Sequence, residues 1–406
     1  MNIVKIFFAA LCAAAFMLYC PFALSVQAVG DVQTEQTEQT APDGQNAVQS
    51  VQQDISEIAD ELGIDTGSIS DGLTPEARDF FAENNIAADN PEAIAEITPR
   101  DVFLYVWEEF KKSLSKPLRV LSSLLAVILV AALIEGMEDS IPNKSLSKIF
   151  GVICVLISVG IIADSVSGSI NRAAEALDSG GTFMIGYVPV FAGITASSGG
   201  ITSAVAYNML VLLVAQTTVQ LSGEIIVPAL SVCMAMGIVE AINPGFRLSG
   251  ITEALKKAVT FIMGFIMTVF IGLLSLQSIV GASADTLGVK AAKYVVSNFI
   301  PVIGGAVADT YATVKNSLGL LRGGVGFIGI AAIFIMILPP VLDITAMRLV
   351  FGAADVAAEL FGLSQIKVLV KNTGWILSAV FSILVCFAVM LIIATAILML
   401  VGLNIS

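Results

Sequence analysis

Asp343, Arg348, Asp355 and Glu359 share one otherwise apolar stretch of the sequence. Arg348, Asp355 and Glu359 are spaced by steps of seven and four, which return to one side of an α-helix. A charge near the centre of a membrane helix costs about 2.5–3.5 kcal/mol on insertion scales, so such groups face a bundle interior or water. These four are candidate intramembrane polar residues, able to form a buried ion pair or a polar pathway. The competing reading, which the pattern favours, is an amphipathic helix lying at the membrane interface. Glu240 falls near the end of its apolar run and reaches the interface. Asn208, Gln216 and Gln220 suit interhelical hydrogen bonds better than ligand binding.

A second set of residues bears on backbone chemistry. Tyr187-Val188-Pro189-Val190-Phe191-Ala192-Gly193 and Phe299-Ile300-Pro301-Val302-Ile303-Gly304-Gly305 share one pattern: aromatic, β-branched, Pro, Val, apolar, small, Gly. Proline in a membrane helix frees a backbone carbonyl that neighbours or water must satisfy. Pro189, Gly193, Pro301, Gly304 and Gly305 are therefore candidate helix breaks or pore-lining positions. Ser197-Ser198-Gly199-Gly200 and Gly323-Gly324 read as loose turns at such breaks, or as sites of close helix packing.

Other chemistry is excluded or disfavoured. The chain has no histidine, so Ser-His-Asp and Cys-His catalysis are ruled out. Its five cysteines, Cys12, Cys20, Cys154, Cys233 and Cys386, form no C-x-x-C pair, so a zinc site is not expected. No G-x-x-x-x-G-K-[ST] loop is present, and no carboxylates pair at catalytic spacing in a hydrophilic domain. The expectation is a protein that is not an enzyme and has no cofactor and no metal.

The elements that must position these residues are membrane helices. Apolar residues make up 56% of the chain and charged residues 13%, with a mean hydropathy of +0.90. Soluble domains run nearer a quarter charged. The net charge of −13 is concentrated between Gln27 and Phe110, where only Arg78 and Arg100 offset the acids. That segment would repel nucleic acid and anionic headgroups, so no nucleic-acid partner is expected.

The fold class expected is all-α: a polytopic integral membrane helical bundle with an internal duplication and a small N-terminal helical extracytoplasmic segment. Residues 1–28 read as a signal peptide, with Lys5 before an apolar run and Val26-Gln27-Ala28 at the cleavage site. The alternative is an uncleaved first helix. Residues 29–53 form a disordered acidic, Gln-rich tract. Residues 54–117 form a short helical segment, with helices at 54–62, 74–84 and 100–112. Thr74-Pro75-Glu76 supplies a hydroxyl cap, a proline and an acid for a helix start. Trp107 suits either a partner contact or the membrane interface, and the basic cluster Lys111, Lys112, Lys116 and Arg119 follows it.

Residues 118–406 form the multi-span domain. Apolar runs are predicted at 118–134, 149–166, 183–196, 201–221, 225–242, 258–280, 294–308, 323–338, 344–362 and 375–403. The runs at 183–196 and 294–308 are short of the roughly 20 residues that a spanning helix needs. Matching flanks place repeats near 144–250 and 251–371. If the short segments cross, the repeats are parallel; if they re-enter, the repeats are inverted. The Lys/Arg bias slightly favours crossing, with Lys315 and Arg322 on the same inner side as Lys367 and Lys371.

The run from Leu73-Thr74-Pro75-Glu76 through Tyr187-Val188-Pro189-Val190, Ala196-Ser197-Ser198-Gly199-Gly200 and Asn298-Phe299-Ile300-Pro301-Val302-Ile303-Gly304-Gly305-Ala306 resembles the stage III sporulation protein AE family. The resemblance extends from Leu73 to the C-terminus. It implies an endospore-forming bacterium and a multi-pass place in the mother-cell membrane around the forespore. It also implies a role in a channel or feeding tube that sustains late forespore gene expression. Its implied partners are the other stage III A sporulation proteins, membrane lipid and, indirectly, the forespore stage II protein Q. It supplies no catalytic residues. The other reading is an autonomous secondary transporter for a small molecule, suggested by repeats with broken helices. The acidic arm ahead of the membrane domain favours the assembly subunit.

Overall fold

The structure is a computed structural model, and it describes residues 71–84, 86, 99–137, 144–243, 245, 248–299 and 304–401. The proposed signal peptide, the Gln-rich tract, the 54–62 helix and Pro301 lie outside the described residues. Among those described there is no strand.

Helix α1 (Pro75–Glu83) begins where the Thr74-Pro75-Glu76 run predicts, with the Thr74 hydroxyl accepting from the Ala77 N–H at 3.4 Å. Phe81 is buried, and the Phe80 ring sits edge-on to Tyr105, 4.7 Å between centroids. Tyr105 belongs to α2 (Pro99–Gly136), a 38-residue helix. The expected helix at 100–112 and the span at 118–134 are thus one element, carried straight through Pro117.

The same fusion recurs along the chain. Helix α3 (Lys144–Ser197) runs for 54 residues, about 80 Å at 1.5 Å per residue. It absorbs both the run at 149–166 and the short one at 183–196. Ser179-Gly180-Gly181, which lies between them, is helical. Its glycines serve close approach: a Cβ on Gly180 would meet the Phe387 ring at 2.7 Å, and one on Gly181 would meet Val219 at 3.0 Å. Helix α4 (Ile201–Leu221) passes through a π-helical turn, Ser222–Ile226, into α5 (Val227–Ile242). The Ser222-Gly223-Glu224 connector is therefore a widened turn within one rod.

Helix α6 (Ser249–Phe299) is followed by α7 (Gly304–Leu360) and α8 (Ser364–Val401). At 57 residues α7 is the longest, and it continues through Pro339 and Pro340. The interfacial helix expected at 344–362 is instead the last third of α7. Within the most apolar stretch of each long helix, 72% of residues are buried in α7 and 67% in α8, against 22–33% in the others, so α7 and α8 form the centre and the rest a ring.

Six helices are long and apolar enough to cross a membrane. Neither way of counting the short segments describes them. On the one continuous α7, Arg322 meets Met399 near the end of α8 and Glu359 meets Lys367 near its start, so Arg322 and Lys367 lie at opposite ends of the bundle. The 144–250 unit holds α3, α4 and α5; the 251–371 unit holds α6, α7 and the start of α8.

Candidate functional site

Polar side chains inside the bundle gather at four levels. The first joins α3 to α7. Arg172 forms an ion pair with Asp343, and the Ser169 hydroxyl donates to the same carboxylate oxygen at 3.2 Å. The sequence pattern singled out Asp343 but not its partner, since the two are far apart in the chain. Breaking this pair with Asp343→Ala should lower stability by about 1–3 kcal/mol, less than for a fully buried pair because Arg172 is 36% exposed. Thermal unfolding in detergent reads this, and the exchanged pair Arg172→Asp with Asp343→Arg should recover part of the loss.

The remaining members of the predicted polar stripe do not converge on Asp343. The Arg348 guanidinium lies over the Phe381 ring of α8, 5.0 Å from its centroid, a cation–π arrangement. Asp355 is half-buried, with one carboxylate oxygen fully enclosed and no hydrogen-bond partner. Glu359 pairs with Lys367 at 2.7 Å across the α7–α8 turn. In that turn Gly362 adopts φ 74°, a left-handed conformation that suits glycine. The stripe fastens α7 to two neighbours and does not line one path.

The second level is the break between α3 and α4. Pro189 does not break α3: it sits on an exposed face, and the helix runs on to Ser197. On the opposite side Phe183, Tyr187 and Phe191 stack at 5.3 and 5.4 Å between centroids and are fully buried. This packing holds the backbone helical past the lost N–H. A Cβ on Gly193 would meet nothing within 4 Å. The chain turns at Gly199, φ 95°, as the Ser-Ser-Gly-Gly run suggested. Gly304 and Gly305 are the first residues of α7.

Asp285 of α6 closes that break. Its two oxygens accept the Thr202 and Ser203 backbone N–H groups at 2.8 and 3.0 Å, and the residue is 4% exposed. A carboxylate from a distant helix thus caps the positive end of α4. Sequence reading missed it, because a tertiary cap leaves no local signature. Asp285→Ala should cost about 1–2 kcal/mol, with Asp285→Asn milder. Faster hydrogen exchange at Thr202 and Ser203 is the specific readout.

The third level packs α3 against a glycine face of α7. The Tyr187 hydroxyl donates to the Val325 carbonyl at 3.3 Å, and its ring fills the space where a Gly329 side chain would stand. Arg322, 3% exposed, donates to the Met399 carbonyl at 3.1 Å. The fourth level joins α5 to α8, where the buried Asn372 amide donates to the Cys233 carbonyl at 3.0 Å over Gly237.

Two openings flank these levels. A groove of about 670 Å³ between α4 and α6 is lined almost wholly by apolar residues, among them Val205, Met209 and Leu276. A cleft of about 600 Å³ opens where α2 and α5 end and α8 begins, with Glu135, Asn243, Ser364 and Gln365 on its walls. Among the described residues no three Cys, Asp or Glu side chains converge as metal ligands would.

This is a helical membrane body held together by internal polar clasps. Residues 85–402 match the family model for stage III sporulation protein AE. The chain belongs to the stage III sporulation protein AE family. A family member from Bacillus subtilis (strain 168), named stage III sporulation protein AE, is 23% identical over 361 residues. That match covers 87% of this chain and 88% of the relative. No solved structure matches. The family match takes in α2 to α8 almost entirely, so the clasps described above all fall within the shared region.

Proposed function

We propose that this chain is a non-catalytic membrane subunit of the stage III A channel or feeding-tube assembly that joins mother cell and forespore. It resides in the mother-cell membrane around the forespore and supports late forespore gene expression. The family match over residues 85–402 carries the reading. The fold is compatible with it: six long apolar helices, no nucleotide-binding loop, and polar groups engaged mainly in fastening helices together.

Orientation follows from the signal peptide read at residues 1–28, which puts the start of α2 outside. The α2–α3, α5–α6 and α7–α8 connections, with Lys144, Lys148, Lys256, Lys257, Lys367 and Lys371, are then cytoplasmic. Lys111, Lys112, Lys116 and Arg119 stay outside, against the positive-inside rule. Six crossings then leave both α1 and the C-terminal end of α8 outside, where companion proteins can reach them. In sporulating cells, cross-linking of the full chain followed by mass spectrometry should recover the other stage III A proteins, with stage II protein Q joined indirectly. Recovery of none of them above a vegetative control would overturn the assembly reading.

A further inference from the structure

We propose that the groove between α2 and α3 at Arg119 and Asp164 binds the headgroup of a zwitterionic phospholipid, one carrying a phosphate and a primary ammonium. The groove, about 300 Å³, is lined by Arg119, Ser123, Gly160, Asp164 and Ser165 with Val120 and Ile161. It offers a cation from one helix and an anion from the other. Both residues are exposed, and no ion pair joins them to each other. Arg119 suits the phosphate, which a guanidinium holds with two parallel hydrogen bonds. The Asp164 carboxylate suits the ammonium. Lys116 extends the positive side: its Nζ lies 3.3 Å from where a Cβ on Gly168 would stand, one turn beyond Asp164 on α3.

The surface on the cytoplasmic side of the groove is what acyl chains require. Leu129, Val130 and Leu133 of α2 and Ile153, Leu156 and Ile157 of α3 are all exposed. That stretch has no Tyr, Trp or Arg, the residues that enrich protein–protein contacts. Its height brings headgroups to the groove. Arg119 and Glu135, and Lys148 and Asp164, are each sixteen residues apart with no charge between them. Sixteen helical residues rise about 24 Å, short of a hydrocarbon core of about 30 Å. A short apolar height is met by local thinning of the bilayer, which draws the outer headgroups down to the level of Arg119 and Asp164. On α6 the charge-free run from Lys257 to Asp285 rises about 42 Å, so the thinning belongs to the α2–α3 side.

The test uses the full chain in nanodiscs of phosphatidylethanolamine and phosphatidylglycerol. The probe is phosphatidylethanolamine with a photoactivatable group on its headgroup. In the unaltered protein, cross-links should concentrate on residues 119–123 and 160–165. Arg119→Gln and Asp164→Asn should each lower that labelling about tenfold, the loss of one charge-assisted contact. Arg119→Lys and Asp164→Glu should keep most of it. Labelling spread evenly over all exposed apolar helices, or unchanged in both charge-neutral variants, would overturn the proposal. Competition by inorganic phosphate as effective as by added lipid would make this a free-anion site and overturn the lipid assignment. Equal capture of a phosphatidylglycerol probe would remove the role given to Asp164.

Discussion

A sporulating strain without this chain should grow vegetatively at the wild-type rate and yield almost no heat-resistant spores. The block should fall after engulfment, when the mother-cell membrane already surrounds the forespore. Two features predict so large and so confined an effect. The family to which residues 85–402 belong is a sporulation family. The chain also has no energy-coupling loop of its own, so it is expected to act through companions made at that stage. Spore counts after heating, set beside growth curves, decide it. A vegetative growth defect would favour the autonomous transporter, and normal sporulation would remove the chain from the pathway.

The second large effect concerns Gly329. Adding one methyl group there should damage the bundle more than most core substitutions do. The new carbon would enter the Tyr187 ring, which is fully buried and stacked between Phe183 and Phe191. That ring cannot swing aside, because its neighbours on α3 occupy the space on either hand. Overpacking a close-packed site costs about 1–3 kcal/mol, more where no side chain can yield. Gly329→Ala should therefore reduce folded protein and spore counts together. Tyr187→Leu in the same chain should restore part of both, since the shorter side chain vacates the space. Wild-type behaviour of Gly329→Ala alone would contradict the close approach of α3 to α7.

These residues also mark what the sequence could and could not reveal. Membrane helices were legible because apolar runs need no tertiary context. The Thr74-Pro75-Glu76 start and the Ser-Ser-Gly-Gly break were legible because their signals are local. The lengths were misread where the runs at 149–166 and 183–196, and those at 201–221 and 225–242, read as separate elements. The small residues between them admit Phe387 and Val219 against α3 or widen one helical turn. Pro189 misled for a related reason: an exposed proline backed by buried aromatics leaves α3 unbroken. Of the clasps, Asp343 stood out as a charge in an apolar stretch, and Arg348 and Glu359 by helical spacing as well. Arg172, Asp285, Arg322 and Asn372 were not, because each meets a partner at least 77 residues away.

The π-helical turn at Ser222–Ile226 bears on how kin of this chain can differ in length. Such a turn takes up one residue more than an α-helical turn while the helix continues on both sides. It is a place where one residue can be added while the helix on both sides keeps its facing. Inserting a residue without it would rotate everything beyond by about 100° and carry Cys233 and Gly237 away from Asn372. Kin of this chain that are one residue shorter at this point should pass from the α4 region to the α5 region as plain α-helix, with the same faces turned inward.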